Sequence, residues 1–263
     1  QFRISTYSPK YVAGLTIEDF LVGPSKLGMG FPPMQSEPYE PGSIQLFPPE
    51  VYIREKIRID FSNFDYGKKK LWMFQDIIYS LEFIKALPIY YLLDNCSQRT
   101  LLASSITCAN LTSAYFSYSS YSDRTYYPDG ITMKWEKEML VKFFFSNRDY
   151  KVLQKSHGKV KLDKREYALL KLILVCNPRT RTVDQVSQML LIHSLFRCTK
   201  ALLSYVLARR GVKKGPEIFG KILSIVEVVN KLTTWQKSLH IVMLGLNIHA
   251  YRVPFVETIF HSH

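Results

Sequence analysis

The chain has 263 residues, of which 47% are hydrophobic and 14% aromatic, enough apolar material for one large domain or two small ones. Only 12 glycines and 13 prolines are present, which argues against a turn-rich β-sandwich. The formal net charge of +13 leaves a nucleic-acid or membrane partner open. However, the densest basic clusters, within 68–70 and 209–214, are short, which favours solvated helix ends over a nucleic-acid footprint.

The cysteines and histidines are not spaced for metal binding or catalysis. Cys96, Cys108, Cys176 and Cys198 contain no Cys-x-x-Cys pair, which excludes a zinc ribbon and a dithiol redox motif. Each lies in an apolar or helical stretch, so we expect small buried side chains in a reducing compartment. The histidines show no metal-ligand spacing, and no phosphate loop or nucleophile elbow is present. The sequence therefore predicts no metal, no cofactor and no enzyme.

Residues 100–122 carry no charged side chain and are numerous enough to span a bilayer. The stretch is rich in serine and threonine, however, and it also contains Asn110. Such polarity argues against insertion into lipid and favours a helix that is buried on all sides within a protein. We therefore expect no membrane partner.

Two units are expected along the chain. Residues 1–50 form a proline-rich segment in which only 16–21 look like a helical turn, with Thr16 as a possible cap and Asp19 three residues later. We expect this segment to pack on the domain or to lead into it. Residues 51–263 have a strongly helical pattern and form the domain itself.

The first long helix of this domain has apolar positions that recur every three or four residues: Leu71, Phe74, Ile78, Leu81 and Ile84. Pro88 ends it, because proline has no N–H and restricts the residue before it. The helical pattern resumes near 97 and continues to about 118. Residues 124–133 then contain a Pro-Asp-Gly turn between β-favouring residues, which predicts one β-hairpin.

Four more helices are predicted after a helix at about 133–155. Asp163 is an N-cap with Glu166 at the capping-box position, and Asn177-Pro178 ends the helix they begin. Another runs from about 183 to 210, where Gly211 stops it. Pro216 opens the last long helix, which reaches about 249. A short apolar segment, 254–260, closes the chain.

This order of elements resembles the nuclear receptor ligand-binding domain, an all-α, three-layer antiparallel helical sandwich with one small β-hairpin. Two blocks carry the resemblance. Residues 83–90, continuing to 98–102, resemble the family signature of a Lys-x-x-Pro-x-aromatic helix end followed by Gln and a Leu-Leu pair. Residues 162–178 are similar to the helix that runs from a capping acid to Asn-Pro. The resemblance covers about 51–260, and the proline-rich start is similar to divergent nematode receptors related to hepatocyte nuclear factor 4.

Three positions depart from the family pattern. Cys96 and Ser97 stand where many members have two acids before Gln98. Ser117 stands near the position at which some members carry an arginine that holds a ligand carboxylate, and Arg124 is a weak candidate for that role here. In the terminal segment the acid, Glu257, lies one place early, so that Thr258 holds the position of the family's glutamate.

The resemblance implies a groove for a coactivator helix of the LxxLL type, held at its two ends by a lysine and a glutamate. The lysine donates to the carbonyl groups at the C-terminus of the peptide, and the glutamate accepts from the N–H groups at its N-terminus. By resemblance, the groove residues are Lys85, Ile78, Leu81, Gln98, Leu102 and Glu257. The alternative for Lys85 is a solvated lysine at a helix end, and the alternative for Ile78, Leu81 and Leu102 is ordinary core.

The resemblance also implies an interior pocket for a small apolar or lipid-like ligand, with mostly apolar walls and a few polar anchors. The carried-over positions are Met73, Asp76, Ile77, Ile106, Asn110, Ala114, Gln236, Leu239, His240 and Met243. Asp76, Asn110 and His240 are the candidate anchors. Two alternatives stay open: a structural histidine, and a pocket filled by side chains with no ligand.

The implied function is a ligand-regulated transcription module of the nucleus, whose terminal helix shifts between two positions and recruits a coregulator. The helix at 216–249 is where the family dimerises, so a homodimer or a receptor heterodimer is expected. DNA is contacted only through a separate zinc domain that this chain lacks. The alternatives are a helical lipid-binding or scaffold protein without transcriptional output, and a nucleic-acid binder whose affinity falls steeply with salt.

Overall fold

The computed structural model describes residues 16–28, 72–120, 160–178, 183–245 and 254–261, without the side chains of 72–75, 116–120, 239 and 242–245. Within these residues the helices are α1 (Ile17–Leu21), α2 (Trp72–Lys85), α3 (Asn95–Leu102), α4 (Ser105–Ser120), α5 (Lys164–Val175), α6 (Gln185–Gly245) and α7 (Pro254–His261). Two 3-10 turns, Lys26–Gly28 and Pro88–Leu92, accompany them. The all-α class is confirmed. The predicted hairpin at 124–133, the helix at 133–155 and the unit boundary at 50 lie outside the described residues.

Helix α4 is the centre of the domain. It packs against α2, α5 and α6, and also touches α7. Ile106, Cys108 and Leu111 are completely or almost completely buried, and the polar Ser105 and Thr112 are buried with them. This confirms the prediction of an uncharged helix surrounded by protein, and it makes α4 the middle layer of the sandwich.

The ends of α2 and α3 show where the chain departs from simple periodicity. Helix α2 stops at Lys85, and a 3-10 turn starts at Pro88, as the proline predicted. The prediction of one helix from 97 to 118 is wrong, because α3 and α4 are separated at 103–104. The Ser104 hydroxyl donates to the Leu101 carbonyl at 2.6 Å, which supports a local turn there.

Charged side chains join α5 to α6. Asp163 caps α5 by accepting from the backbone of Glu166 at 2.7 Å, and the Glu166 carboxylate accepts from the Asp163 N–H at 2.9 Å, which confirms the capping box. The fully buried Glu166 carboxylate also lies 3.0 Å from the Arg209 guanidinium and 3.3 Å from that of Arg210. Burial acts to raise the pKa of Asp163, but the N–H of Glu166, the Tyr205 hydroxyl and Arg209 outweigh it and hold that pKa low.

Helix α6 is two helices joined at a sharp kink. Gly211 has φ 78° and ψ 161°, a backbone conformation open to glycine, which confirms the predicted stop. The prediction that Pro216 opens the next helix is wrong, since helix resumes directly after Gly211 and Pro216 lies within its first turns. A Cβ atom on Gly215 would lie 3.3 Å from the Cα atom of Leu207, so glycine allows the two halves to approach closely.

The first half of α6 carries an exposed apolar row. Val186, Met189, Ile192 and Phe196 are each at least 49% exposed. Among the described residues, one stretch, Gln185–Ser238, is long and apolar enough to cross a membrane, with 17% of its most apolar window buried. The kink at Gly211 divides this stretch, and length and composition alone are weak support for a membrane span.

The cysteines differ in exposure. Cys108 and Cys176 are buried as predicted, but the prediction is wrong for Cys96, which is exposed on α3, and Cys198 is half-buried. A contact with the Cys176 thiol lowers the pKa of Cys198 to about 7, although burial opposes this shift. None of the four cysteines is in a disulfide, and the described residues contain no cluster of His, Cys, Asp or Glu that could hold a metal ion.

Candidate functional site

A groove forms where α2, α3 and α7 meet, and helix α1 lies in it. The predicted groove residues Ile78, Leu81 and Leu102 are completely buried at its base. Helix α1 packs against α3 and α7, and its side chains Ile17 and Phe20 are 3% and 5% exposed. The base of the groove is therefore core, and its outer surface is covered by the chain's own N-terminal residues.

Lys85 lies at the end of α2 beneath this cover. Its side chain is 1% exposed, and its ammonium group donates to the Val22 carbonyl at 3.4 Å. The Glu82 carboxylate is 3.9 Å away. Burial lowers the pKa of Lys85, while Glu82 opposes that shift. The alternative of a solvated lysine at a helix end is therefore wrong for this structure.

Glu82 is a site residue that the sequence analysis missed. Its side chain is 1% exposed, and its carboxylate accepts from the Lys26 N–H at 2.6 Å. Its carbonyl group accepts from the Ser25 hydroxyl at 2.7 Å. The available signal was an acid three residues before Lys85, on the same face of α2. Residues 22–26 thus cover a buried pair of opposite charges.

The remaining predicted groove residues lie at the edges. The Gln98 amide donates to the carbonyl groups of Tyr90 and Leu93 at 3.1 Å each, so it fixes the 3-10 turn to α3. Burial raises the pKa of the Tyr90 hydroxyl group to about 12. Glu257 is half-buried in the first turn of α7. Thr258, and not Glu257, borders a cavity of about 130 Å³ beside Ile17.

The predicted pocket residues lie between α2, α4 and α6. Asp76, Ile77, Ile106 and Ala114 are buried. The Asn110 amide donates to the Gln236 side-chain oxygen at 2.7 Å and to the Thr233 hydroxyl at 3.0 Å, which joins α4 to α6. The side chains of Met73, Leu239 and Met243 lie outside the described residues.

His240 connects this region to the terminal helix. It is 9% exposed, and its ring centroid lies 4.6 Å from that of Phe260 and 5.7 Å from that of His261. Between α5 and α2, the ammonium group of Lys171 lies 4.6 Å from the centre of the Phe83 ring, and burial lowers the pKa of this lysine. The His240 ring therefore lies directly against α7.

Residues 65–243 match the family model described as the ligand-binding domain of nuclear hormone receptor. The chain belongs to this family. It is 30% identical over 146 residues to nuclear hormone receptor family member nhr-154 of Caenorhabditis elegans, covering 52% of this chain and 30% of that protein. It is 24% identical over 251 residues to the nematode's nhr-60, covering 93% and 54%, and 28% identical to its nhr-136, covering 62% and 38%.

The family match confirms the predicted receptor fold, and the relatives confirm the resemblance to nematode receptors. The closer relation to hepatocyte nuclear factor 4 stays a prediction. The chain spans about half, or less, of the length of these curated relatives.

Proposed function

We propose that this chain is the ligand-binding and coregulator-recruiting domain of a nuclear receptor that regulates transcription in the nucleus. The family is one of ligand-binding domains. One observation supports the recruitment of a coregulator. Lys85 donates to the carbonyl group at the C-terminal end of α1, a short amphipathic helix in the groove. This is the contact that recruitment of an LxxLL-type coregulator peptide requires of the lysine.

The proposed regulatory element is α7. His240 packs on Phe260, so a ligand that moves the histidine changes the contacts of the terminal helix. A ligand shifts the position of α7 only to the extent that it binds better to one position than to the other. Asp76, Asn110 and His240 are the proposed polar anchors in an otherwise apolar pocket.

The ligand is tested by mass spectrometry of small molecules extracted from the purified native chain. We expect one apolar or lipid-like compound in a near-stoichiometric amount, because apolar pocket walls hold such a molecule out of water. An extract that contains no such compound, or only traces, would contradict the ligand proposal and favour a pocket filled by side chains.

The groove is tested with a fluorescent LxxLL peptide and the Ile17→Ala/Phe20→Ala variant. This variant lacks the two buried side chains with which α1 packs in the groove. We expect the peptide to bind this variant. Adding Lys85→Ala should weaken binding by at least about tenfold, because a hydrogen bond from a charged donor contributes about 1.5 to 3 kcal/mol. Fluorescence anisotropy measures both dissociation constants.

The matched control is Lys200→Ala in the same background, since Lys200 is an exposed lysine on α6. It should leave the affinity for the peptide unchanged. If the peptide fails to bind, or binds equally well after Lys85→Ala, coregulator recruitment through this groove is refuted. A helical lipid-binding or scaffold protein without transcriptional output would then be the better interpretation.

The remaining partners belong to the same proposal. We propose that the chain dimerises through 216–249, as the family resemblance implies, and 216–245 of this range belong to the second half of α6. Contact with DNA is assigned to a separate zinc domain. The domain itself is proposed to act by binding and not by catalysis.

A further inference from the structure

Helix α1 has the apolar spacing of a coregulator motif. Its apolar residues Ile17, Phe20 and Leu21 stand at positions i, i+3 and i+4, the spacing of the three leucines in LxxLL. The first two are buried and Leu21 is half-buried against the core, whereas Glu18 and Asp19 face solvent. An amphipathic helix with this pattern is the shape that a helix-binding groove accepts.

The C-terminal end of α1 is held as a bound peptide would be held. The acceptor for Lys85 is the carbonyl group of Val22, which is the C-cap residue of α1. A cation at this end also complements the helix dipole. Ser25 and Lys26 then continue the contact through their bonds to Glu82. Residues 16–28, which we call the covering segment, therefore bind the same lysine, Lys85, that is proposed to hold a coregulator helix.

The N-terminal end of α1 explains why the groove manages without a glutamate in the family position. The Asp19 carboxylate accepts from the Thr16 N–H at 2.7 Å and from the Thr16 hydroxyl at 2.8 Å, so α1 caps itself. These bonds to Thr16 lower the pKa of Asp19. Outside the groove, Glu18 pairs with Arg99 of α3 at 2.7 Å. A helix capped from within needs no acceptor from α7, where Thr258 occupies the expected position.

The fit of α1 leaves room for a competitor. Helix α1 contacts α7 through Phe20, whose ring centroid lies 5.5 Å from that of Phe255. Beside Ile17, however, a cavity of about 130 Å³ remains between α3 and α7. An external peptide with larger or better-placed side chains can fill that space and gain contacts that α1 does not make.

We propose that the covering segment is a built-in competitor of coregulator peptides, and that recruitment requires its release from the groove. This inference rests on the proposed function, because it assigns an occupant to the same groove. The apparent affinity for an external helix is reduced by the fraction of molecules whose groove is open. The groove is thus selective for helices that outcompete Ile-x-x-Phe-Leu in the same chain.

The test uses a fluorescent synthetic peptide of residues 14–28 as the probe. We expect it to bind the full-chain variant Ile17→Ala/Phe20→Ala at least tenfold more tightly than the natural chain, whose groove is filled. A matched control is Ile192→Ala/Phe196→Ala, which removes the same two side-chain types from the exposed row on α6. The control should bind the probe as weakly as the natural chain does.

A second measurement needs no variant. Hydrogen exchange on the natural chain should show that a saturating LxxLL peptide speeds exchange of the covering segment at least tenfold and leaves α5 unchanged. The inference is overturned if the probe binds the natural chain and the variant equally, or neither. It is also overturned if LxxLL peptide binds while the covering segment stays protected. Failure of LxxLL binding with retained binding of the probe would refute coregulator recruitment, and with it the competition, but would still support the groove as the site of the covering segment.

Discussion

Phe255→Ala is expected to detach α7 from the domain. The Phe255 side chain is completely buried and contacts the Phe20 ring, so its truncation removes packing from α7 and α1 together. Phenylalanine-to-alanine changes in a core cost about 3 to 5 kcal/mol. Helix α7 is only eight residues long, and Val256, Ile259 and Phe260 are the buried side chains that remain in it, so we expect local opening of α7 before global unfolding.

Hydrogen exchange checks this expectation. The amides of the last turn of α7 and of the covering segment should lose protection, while those of α5 keep it. The control is Thr258→Ala, which removes an exposed side chain from the same helix and should leave the protection of α7 unchanged. If α7 stays protected in Phe255→Ala, or if α5 opens together with it, α7 is not a separable element.

Glu166→Gln is expected to lower the stability of the whole domain. The change keeps the shape of the side chain but removes the buried charge that faces Arg209 and Arg210. Breaking a buried pair costs about 3 to 5 kcal/mol, and we expect about 2 to 3 kcal/mol because the two arginines are 39% and 24% exposed. For a chain of this size that corresponds to a fall in Tm of roughly 4 to 12 °C.

Thermal unfolding followed by circular dichroism measures this change. Glu217→Gln is the control, since Glu217 pairs with Lys221 on the exposed surface of α6 and its loss should leave Tm nearly unchanged. Equal Tm values for Glu166→Gln and the natural chain would show that the ion pairs between α5 and α6 do not stabilise the domain.

Elements that depend on local chemistry were predictable from the sequence. Asp163 and Glu166 form their capping box because both partners lie within one helical turn. Pro88 and Gly211 interrupt helices because their backbones exclude or permit particular dihedral angles. The break at Ser104 was missed because the apolar pattern on its two sides continues in helical register.

The cover of the groove was not predictable in the same way. The spacing of Ile17, Phe20 and Leu21 was visible in the sequence, but a spacing does not say which surface a helix contacts. The contacts that decide it join Ser25 and Lys26 to Glu82, more than 50 residues along the chain. For Lys85, the family resemblance gave the position, while only the three-dimensional arrangement gives its acceptor, the Val22 carbonyl.

The ion pairs between α5 and α6 also affect how the protein presents charge to distant polyanions. Arg209, Arg210, Lys213 and Lys214 form one of the densest basic runs in the sequence. Two of these four positive charges face the carboxylates of Asp163 and Glu166, so four positive minus two negative charges leave +2 for these six side chains. The potential that steers nucleic acid to a protein depends on such summed charge. The run is therefore a weaker electrostatic attractor than its sequence indicates, because both of its arginines pair with acids that join two helices.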